Sequence, residues 1–193
     1  MIQREMCDAR KNKLIGDTLL LLEHPPVYTL GLQANVKNFR EPIDAFRKKG
    51  IDIFRADRGG DVTFHGPGQL VGYPIVNIAA RGQDVRQYVH QLEKILIETL
   101  SVFHIHSEHM TGYPGVWIGE EKISAIGIKV NVKGIASHGF ALNVNTDLSF
   151  FDPIIPCGLK NKGVTSMAQV LKKPVPMEPV TKRLSEAFIR EFS

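Results

Sequence analysis

The sequence predicts an α+β domain, a mixed sheet flanked by helices. Two observations lead there. Short apolar or alternating runs of strand length recur along most of the chain, and helical periodicity is confined to a few separate segments instead of following each strand in turn. A length of 193 residues is one domain by the usual range of about 100–200 residues. Residues 1–193 are therefore taken as a single domain, large enough to bury a core without disulfides.

The elements follow in order. Met1 to about Lys13 reads as a helix or the tail of one. Asp17-Thr-Leu-Leu-Leu-Leu-Glu23 is an apolar run of strand length stopped by Pro25-Pro26. Val27–Gly31 is a second strand ending in a turn, and Glu41–Lys49 a short helix with Gly50 at its C′ position. Ile51–Arg55 is strand-like. Asp61–Phe64 and Leu70–Ile78 are strands joined by His65-Gly-Pro-Gly-Gln69, a turn-forming insert. From an N-cap at Asp84, the residues Val85, Tyr88, Val89, Leu92, Ile95, Leu96, Leu100 and Phe103 repeat at three and four, which makes one buried stripe. Gly115–Gly119, Lys122–Val130 and Ile135–Val144 are strands broken by glycine and charged turns. Thr165 or Ser166 caps a short helix to Leu171, and Val180, Leu184, Phe188, Ile189 and Phe192 mark a last amphipathic helix.

Composition excludes several classes. A hydrophobic fraction of 43% is too high for a disordered chain. No apolar run approaches the roughly 18 residues of a membrane span, and Met1–Arg10 mixes charged with apolar residues and lacks a signal-peptide core. A cytoplasmic protein is expected. The net charge of +4 with 8% aromatics is weak support for nucleic acid and fits an acidic protein partner equally well. Cys7 and Cys157 stand in dissimilar contexts and are expected to be reduced thiols.

Three places carry chemistry. In Arg58-Gly-Gly-Asp-Val-Thr-Phe-His-Gly-Pro-Gly-Gln69, five of twelve residues are glycine or proline. Such backbone lets a ligand approach closely and offers N–H groups to an anion, or else it is a glycine-rich hairpin. It matches neither a phosphate loop nor a dinucleotide fingerprint. Cys157 sits between Pro156 and Gly158, a loop setting typical of reactive thiols, although a cysteine idle in a turn fits the same pattern. Lys122 opens a strand and is either a solvated edge charge or, if the fold brings it to Cys157, a partner for the thiol. His104, His106, Glu108 and His109 offer metal donors but no second ligand cluster accompanies them, so no metal is expected.

Taken in sequence, Glu23-His-Pro-Pro-Val-Tyr-Thr-Leu-Gly31, Arg58–Gln69, Gly115-Val-Trp-Ile-Gly119, Lys122-Ile-Ser-Ala-Ile-Gly127, His138-Gly-Phe-Ala-Leu-Asn143 and Pro156-Cys-Gly158 form a pattern that resembles the lipoyl(octanoyl) transferase family. The resemblance spans roughly Leu19 to Val170. It implies a biotin- and lipoate-protein ligase-like fold and transfer of an octanoyl group from octanoyl-acyl carrier protein to a lysine of a lipoyl domain. Acceptors implied are the 2-oxoacid dehydrogenase complexes and the glycine cleavage H protein, with no cofactor, no nucleic acid and no membrane. A monomer is expected. By position, Cys157 matches the nucleophile and Lys122 the lysine paired with it. Arg58, Gly59, Gly60, Asp61, Val62, Thr63, Phe64 and His65 match acyl-pocket segments, as do Ala125, Ile126 and Gly127, and Gly139, Phe140 and Ala141. Lys129, Lys133, Lys160 and Lys162 flank these motifs and are expected to steer acidic carriers.

Family members normally carry a strand and the first part of a helix before the region of Met1–Lys13, and this chain is expected to begin inside that helix. An ATP-dependent lipoate or biotin ligase, a Cys/His thioester hydrolase using His65 or His138, and a non-enzymatic basic docking domain are the competing readings. The first has no need of a nucleophilic cysteine.

Overall fold

The computed structural model describes residues 2–155 and 162–192. Two sheets share the chain. The larger contains β1 (Thr18–Leu22), β5 (Gln69–Asn77), β6 (Glu108–Met110), β7 (Tyr113–Ile118), β8 (Glu121–Val130), β9 (Ile135–Asn143) and β10 (Gly163–Val164). Its order is β1-β5-β9-β8-β7-β6, antiparallel throughout. β10 adds in parallel to β8 at Glu121 and Lys122, beyond the last β8–β9 pair, Ser124 with Leu142. The smaller sheet has the order β3-β2-β4, from β2 (Val27–Leu30), β3 (Asp52–Arg55) and β4 (Val62–His65). The helices are α1 (Ile2–Lys11), α2 (Ile43–Lys48), α3 (Val85–Val102), α4 (Met167–Leu171) and α5 (Met177–Phe192).

Strand periodicity decides which residues face which core. On β5, Leu70 and Val76 pack with Tyr88, Leu92 and Leu96 of α3 and Val180, Leu184 and Phe188 of α5. Gln69, Val71 and Tyr73, one residue out of phase, take the opposite face. On β9, Phe140 and Leu142 join the helical core while Gly139, Ala141 and Asn143 alternate with them. Gly72 opposes Phe140 because only glycine leaves room: an added Cβ would lie 2.0 Å from the phenyl ring.

A second core is aromatic. Tyr28, Phe39, Phe46, Phe64 and Phe151 pack beneath the small sheet, with the Phe64 and Phe150 rings stacked at 4.6 Å. The Tyr28 hydroxyl donates to the Phe150 carbonyl at 2.7 Å, and burial raises its pKa to about 12.

Several sequence expectations change. Asp84 does cap α3, forming a reciprocal capping box with Gln87. Val85, placed in the buried stripe, is 48% exposed at the first position of α3. Ile189 is likewise exposed on α5. Glu93, which the stripe omits, is buried and accepts the Gly115 N–H at 3.0 Å. Strands β6 and β10 were not anticipated; three and two residues are too few to show a period. Ser166, not Thr165, caps α4.

Candidate active site

The two sheets enclose a cavity of about 720 Å³. Its floor is the face of β5, β9 and β8 turned away from α3 and α5, and Gln3 of α1, which accepts the His138 N–H at 2.8 Å, joins the lining. Register sets the residues in rows across these strands: Val71 beside Ala141 beside Ala125, and Gly139 beside Gly127. Four of these are glycine or alanine, so the floor is low and apolar. Gly139 is required, since a Cβ there would meet the Gly72 carbonyl at 2.3 Å.

The roof comes from the small sheet and the loop before β4. Arg58 holds it together. Its Nη2 donates to Thr29 O at 2.8 Å and Thr29 Oγ1 at 2.7 Å, while Nη1 donates to Gly59 O and Asp61 O, both at 3.0 Å. The guanidinium, in a residue only 9% exposed, therefore braces the Gly59–Asp61 turn. The loop is tied to the floor as well. Gly59 N–H donates to Ile128 O at 2.8 Å, His138 Nε2 lies within hydrogen-bond distance of Asp57 Oδ1 at 2.7 Å, and Lys129 makes an ion pair to Asp57. These two partners hold the Asp57 pKa down to about 2.

His65 is buried in the roof, and loss of solvent lowers its pKa to about 4. Its Nδ1 lies 2.8 Å from Gln69 Oε1. The Gln69 amide donates to Asn143 Oδ1 at 2.9 Å and to Phe64 O at 3.2 Å, and Asn143 Nδ2 donates to Thr165 O at 3.0 Å. With each amide nitrogen committed as donor, Gln69 Oε1 must accept, so His65 carries its proton on Nδ1. Thr29 Oγ1 lies 3.4 Å from the other ring nitrogen.

Lys122 stands at the β7 border of the floor. Its side chain runs past Gly115, its Nζ donates to Pro114 O at 3.1 Å, and the ammonium lies 4.7 Å over the Trp117 ring. Its backbone pairs with Trp117 on one side and Val164 on the other. The described chain thus resumes, after the segment that contains Cys157, directly beside Lys122. Cys157 itself, with Lys160, lies outside the described residues.

Of the sequence-selected pocket residues, Arg58, Gly59, Gly60, Asp61, Val62, Thr63, His65, Ala125, Ile126, Gly127, Gly139, Phe140 and Ala141 line the cavity together with Lys122. Phe64 does not. It is fully buried in the aromatic core, as the alternation of β4 requires when Thr63 and His65 face the cavity. The cavity also takes Thr29, Gln69, Val71, Tyr73 and Asn143, which sequence reasoning did not single out. The period-two series Gln69, Val71, Tyr73 was the available signal. Lys129 and Lys162, expected to be steering charges, are engaged in ion pairs with Asp57 and Glu120. Among the described residues no group of three or more His, Cys, Asp or Glu is placed to hold a metal, and no helix is long and apolar enough to cross a membrane.

The model of the lipoyl protein ligase A/B catalytic domain matches residues 1–189. The chain belongs to that family. Within it, the octanoyltransferase of Rubrobacter xylanophilus is 47% identical over 188 residues, covering 97% of this chain and 84% of the relative. The crystal structure of lipoate-protein ligase A bound with ATP superposes with a TM-score of 0.78 at 16% identity, over 96% of this chain and 78% of that one. A lipoate protein ligase from Thermoplasma acidophilum, part of a system described with its E2 lipoyl domain, gives 0.74 at 16% identity, over 98% and 78%. At such identities the two solved structures speak for the fold, which is that of the ligase A/B family. The 47% relative places the chain on the family's octanoyltransferase side.

Proposed function

We propose that this protein is an octanoyltransferase of protein lipoylation, taking its acyl group from octanoyl-acyl carrier protein and passing it to a lysine of a lipoyl domain. In this reading residues 1–193 act as one catalytic domain, a monomer in the cytoplasm. The observation that carries the reading is the low, apolar cavity floor leading away from Lys122, in a chain 47% identical to an octanoyltransferase. A saturated chain gains about 0.8 kcal/mol for each methylene it buries on such a floor.

The chemistry has two balanced halves. The Cys157 thiolate attacks the donor's thioester carbonyl; the new C–S bond forms, the carrier's C–S bond breaks, and the carrier thiolate takes a proton from Lys122. The acceptor's lysine amine then attacks the Cys157 thioester. An amide bond forms, the Cys157 C–S bond breaks, and the amine's surplus proton goes to Lys122. A thioester donor is already activated, so ATP has no part to play. Lowering the thiol's pKa would bring little by itself. The larger thiolate fraction is offset by lower nucleophilicity, with a Brønsted slope of about 0.4–0.5. Proton shuttling is therefore the principal role assigned to Lys122.

Placement supports the pairing. Gly163 and Val164 lie against Glu121 and Lys122, and Cys157 precedes Gly163 by only six residues, a reach of at most about 20 Å. The test is intact mass after mixing with octanoyl-acyl carrier protein, beside Cys157→Ser. One octanoyl adduct on the parent, released by hydroxylamine and missing from the variant, is expected. Folded parent with a free thiol and no adduct refutes the acyl-enzyme and turns attention to ATP-dependent ligation. Lys122→Ala is expected to slow transfer by 10²-fold or more. Full recovery of that variant at high pH would remove the shuttle.

A further inference from the structure

Across the floor from Lys122 stands a feature that the reaction does not use. Tyr73 projects from β5 into the cavity, and its hydroxyl lies 2.6 Å from His24 Nε2. This hydrogen bond joins the hydroxyl to the imidazole, and burial disfavours the charged form of both. On its other side the Tyr73 ring meets His138 edge-on at 6.4 Å, and His138 is itself fixed to Asp57 at 2.7 Å. The ring is thus gripped on both flanks. It stands next to Gly139, whose missing side chain lets the floor approach Gly72 and Pro74. In that part of the floor the Tyr73 ring stands beside two glycines, Gly139 and Gly127. Arg58 and Gly59 cross above Gly127, with Gly59 O 3.0 Å from where its Cβ would be.

We propose that the Tyr73 ring, held by His24 and His138, is the stop against which the methyl end of the acyl chain rests, and so sets the chain length accepted. This deepens the transferase reading and rests on it, since it places the thioester end at Lys122. Across the sheet, Lys122 on β8 and Tyr73 on β5 stand two strand spacings apart, or about 10 Å of floor before either side chain is counted. A medium-chain acyl group fits that span. A longer one must displace a ring whose hydroxyl and edge are both engaged.

The experiment uses hexanoyl, octanoyl, decanoyl and dodecanoyl forms of acyl carrier protein. Acyl-enzyme formation is read by intact mass and transfer by kcat/KM to a lipoyl domain. The parent is expected to prefer octanoyl. Tyr73→Ala is expected to move the optimum to decanoyl or dodecanoyl, with a gain of about fourfold for each methylene that now finds room. Tyr73→Phe keeps the ring and is expected to retain the parent's order of chain lengths. Should Tyr73→Ala melt below the assay temperature, Tyr73→Leu shortens the stop with less loss of packing and carries the same expectation. A folded Tyr73→Ala or Tyr73→Leu protein that keeps the parent's order overturns the proposal while leaving octanoyl transfer intact. A parent that accepts no acyl group from any donor overturns the transferase reading and this stop with it.

Discussion

The floor and the roof of the cavity are built by different physics. The floor is backbone ladder: β5, β9 and β8 pair antiparallel over most of their length, and its far side is sealed by Phe140, Leu142 and the α3 and α5 side chains. The roof is polar side chain. Arg58 spans Thr29, Gly59 and Asp61, Asp57 reaches Lys129 and His138, and His65 hands its proton bond to Gln69. A ladder resists local distortion because each residue is fixed by its neighbours. A roof of side-chain bonds is sensitive to single substitutions and to pH. That difference suits a site whose base must stay flat for an apolar chain while its cover is set by a few contacts.

The sharpest way to break the contrast uses one glycine from each side. Gly139→Ala would put a methyl group 2.3 Å from the Gly72 carbonyl and 2.4 Å from Pro74, neither of which can move without unpairing the sheet. Its expected cost is more than about 3 kcal/mol. Gly59→Ala on the roof meets only Ile128 O at 3.4 Å, and less than about 1 kcal/mol is expected. Thermal melting of both variants checks this. Equal losses would mean that floor and roof are equally rigid.

The next effect depends on pH. His65 is buried neutral with its pKa lowered to about 4, whereas an unfolded histidine titrates near 6.5. Between those values the unfolded chain binds more protons than the native one, so stability falls as pH falls. The contribution of neutral His65 is complete above about pH 6.5, and about 3 kcal/mol is lost by pH 4. His24 acts with the same sign, burial lowering its pKa too. The informative quantity is therefore the difference between parent and His65→Gln. Urea midpoints at pH 7 and pH 5 should converge in the variant, and an unchanged gap would show that His65 is not buried neutral.

These contrasts also mark what the sequence made legible. The floor residues came as contiguous runs from the motif resemblance, and alternation sorts them: Ala125 and Gly127, then Gly139 and Ala141, lie two apart and must share a face. The same rule, applied to β4, puts Phe64 opposite Thr63 and His65 and corrects its inclusion as a contiguous run of pocket residues. The roof was not readable in this way. The Arg58 bond to Thr29 spans 29 residues and the Gln69 bond to Asn143 spans 74. No local pattern announces such partners, and the motif resemblance supplied Arg58 and His65 without their bonds. Tyr73 and His24 fall between the two cases. Tyr73 continues the series Gln69, Val71, while His24, 49 residues away, is joined to it only by the fold.

Arg58→Lys tests the hub with a smaller expected effect. A lysine keeps the charge but cannot reproduce four donations in a planar fork. Thr29 O and Asp61 O lose their side-chain donor, and about 2 kcal/mol of stability is expected to go. Because the Gly59–Asp61 turn covers the cavity, octanoyl transfer should fall below the level that melting alone explains, measured at a temperature where both proteins are fully folded. A proportionate loss of both would reduce Arg58 to a structural brace.

Asp57→Asn is expected to do least. Asp57 is more than half exposed, and its partners Lys129 and His138 also reach solvent. Such pairs contribute less than about 1 kcal/mol, which added salt diminishes further. Its pH window nevertheless separates it from His65. The Lys129 and His138 hydrogen bonds hold the Asp57 pKa near 2. What the pair contributes is therefore present above the ordinary carboxylate range and fades only as pH falls through about 2. Denaturation of the parent and Asp57→Asn should accordingly differ by less than about 1 kcal/mol at both pH 7 and pH 5, and that difference should shrink in 1 M salt. A loss as large as that of Arg58→Lys would instead make Asp57 a second hub, tying the Arg58 loop to β8 and β9 as firmly as the guanidinium ties it to β2.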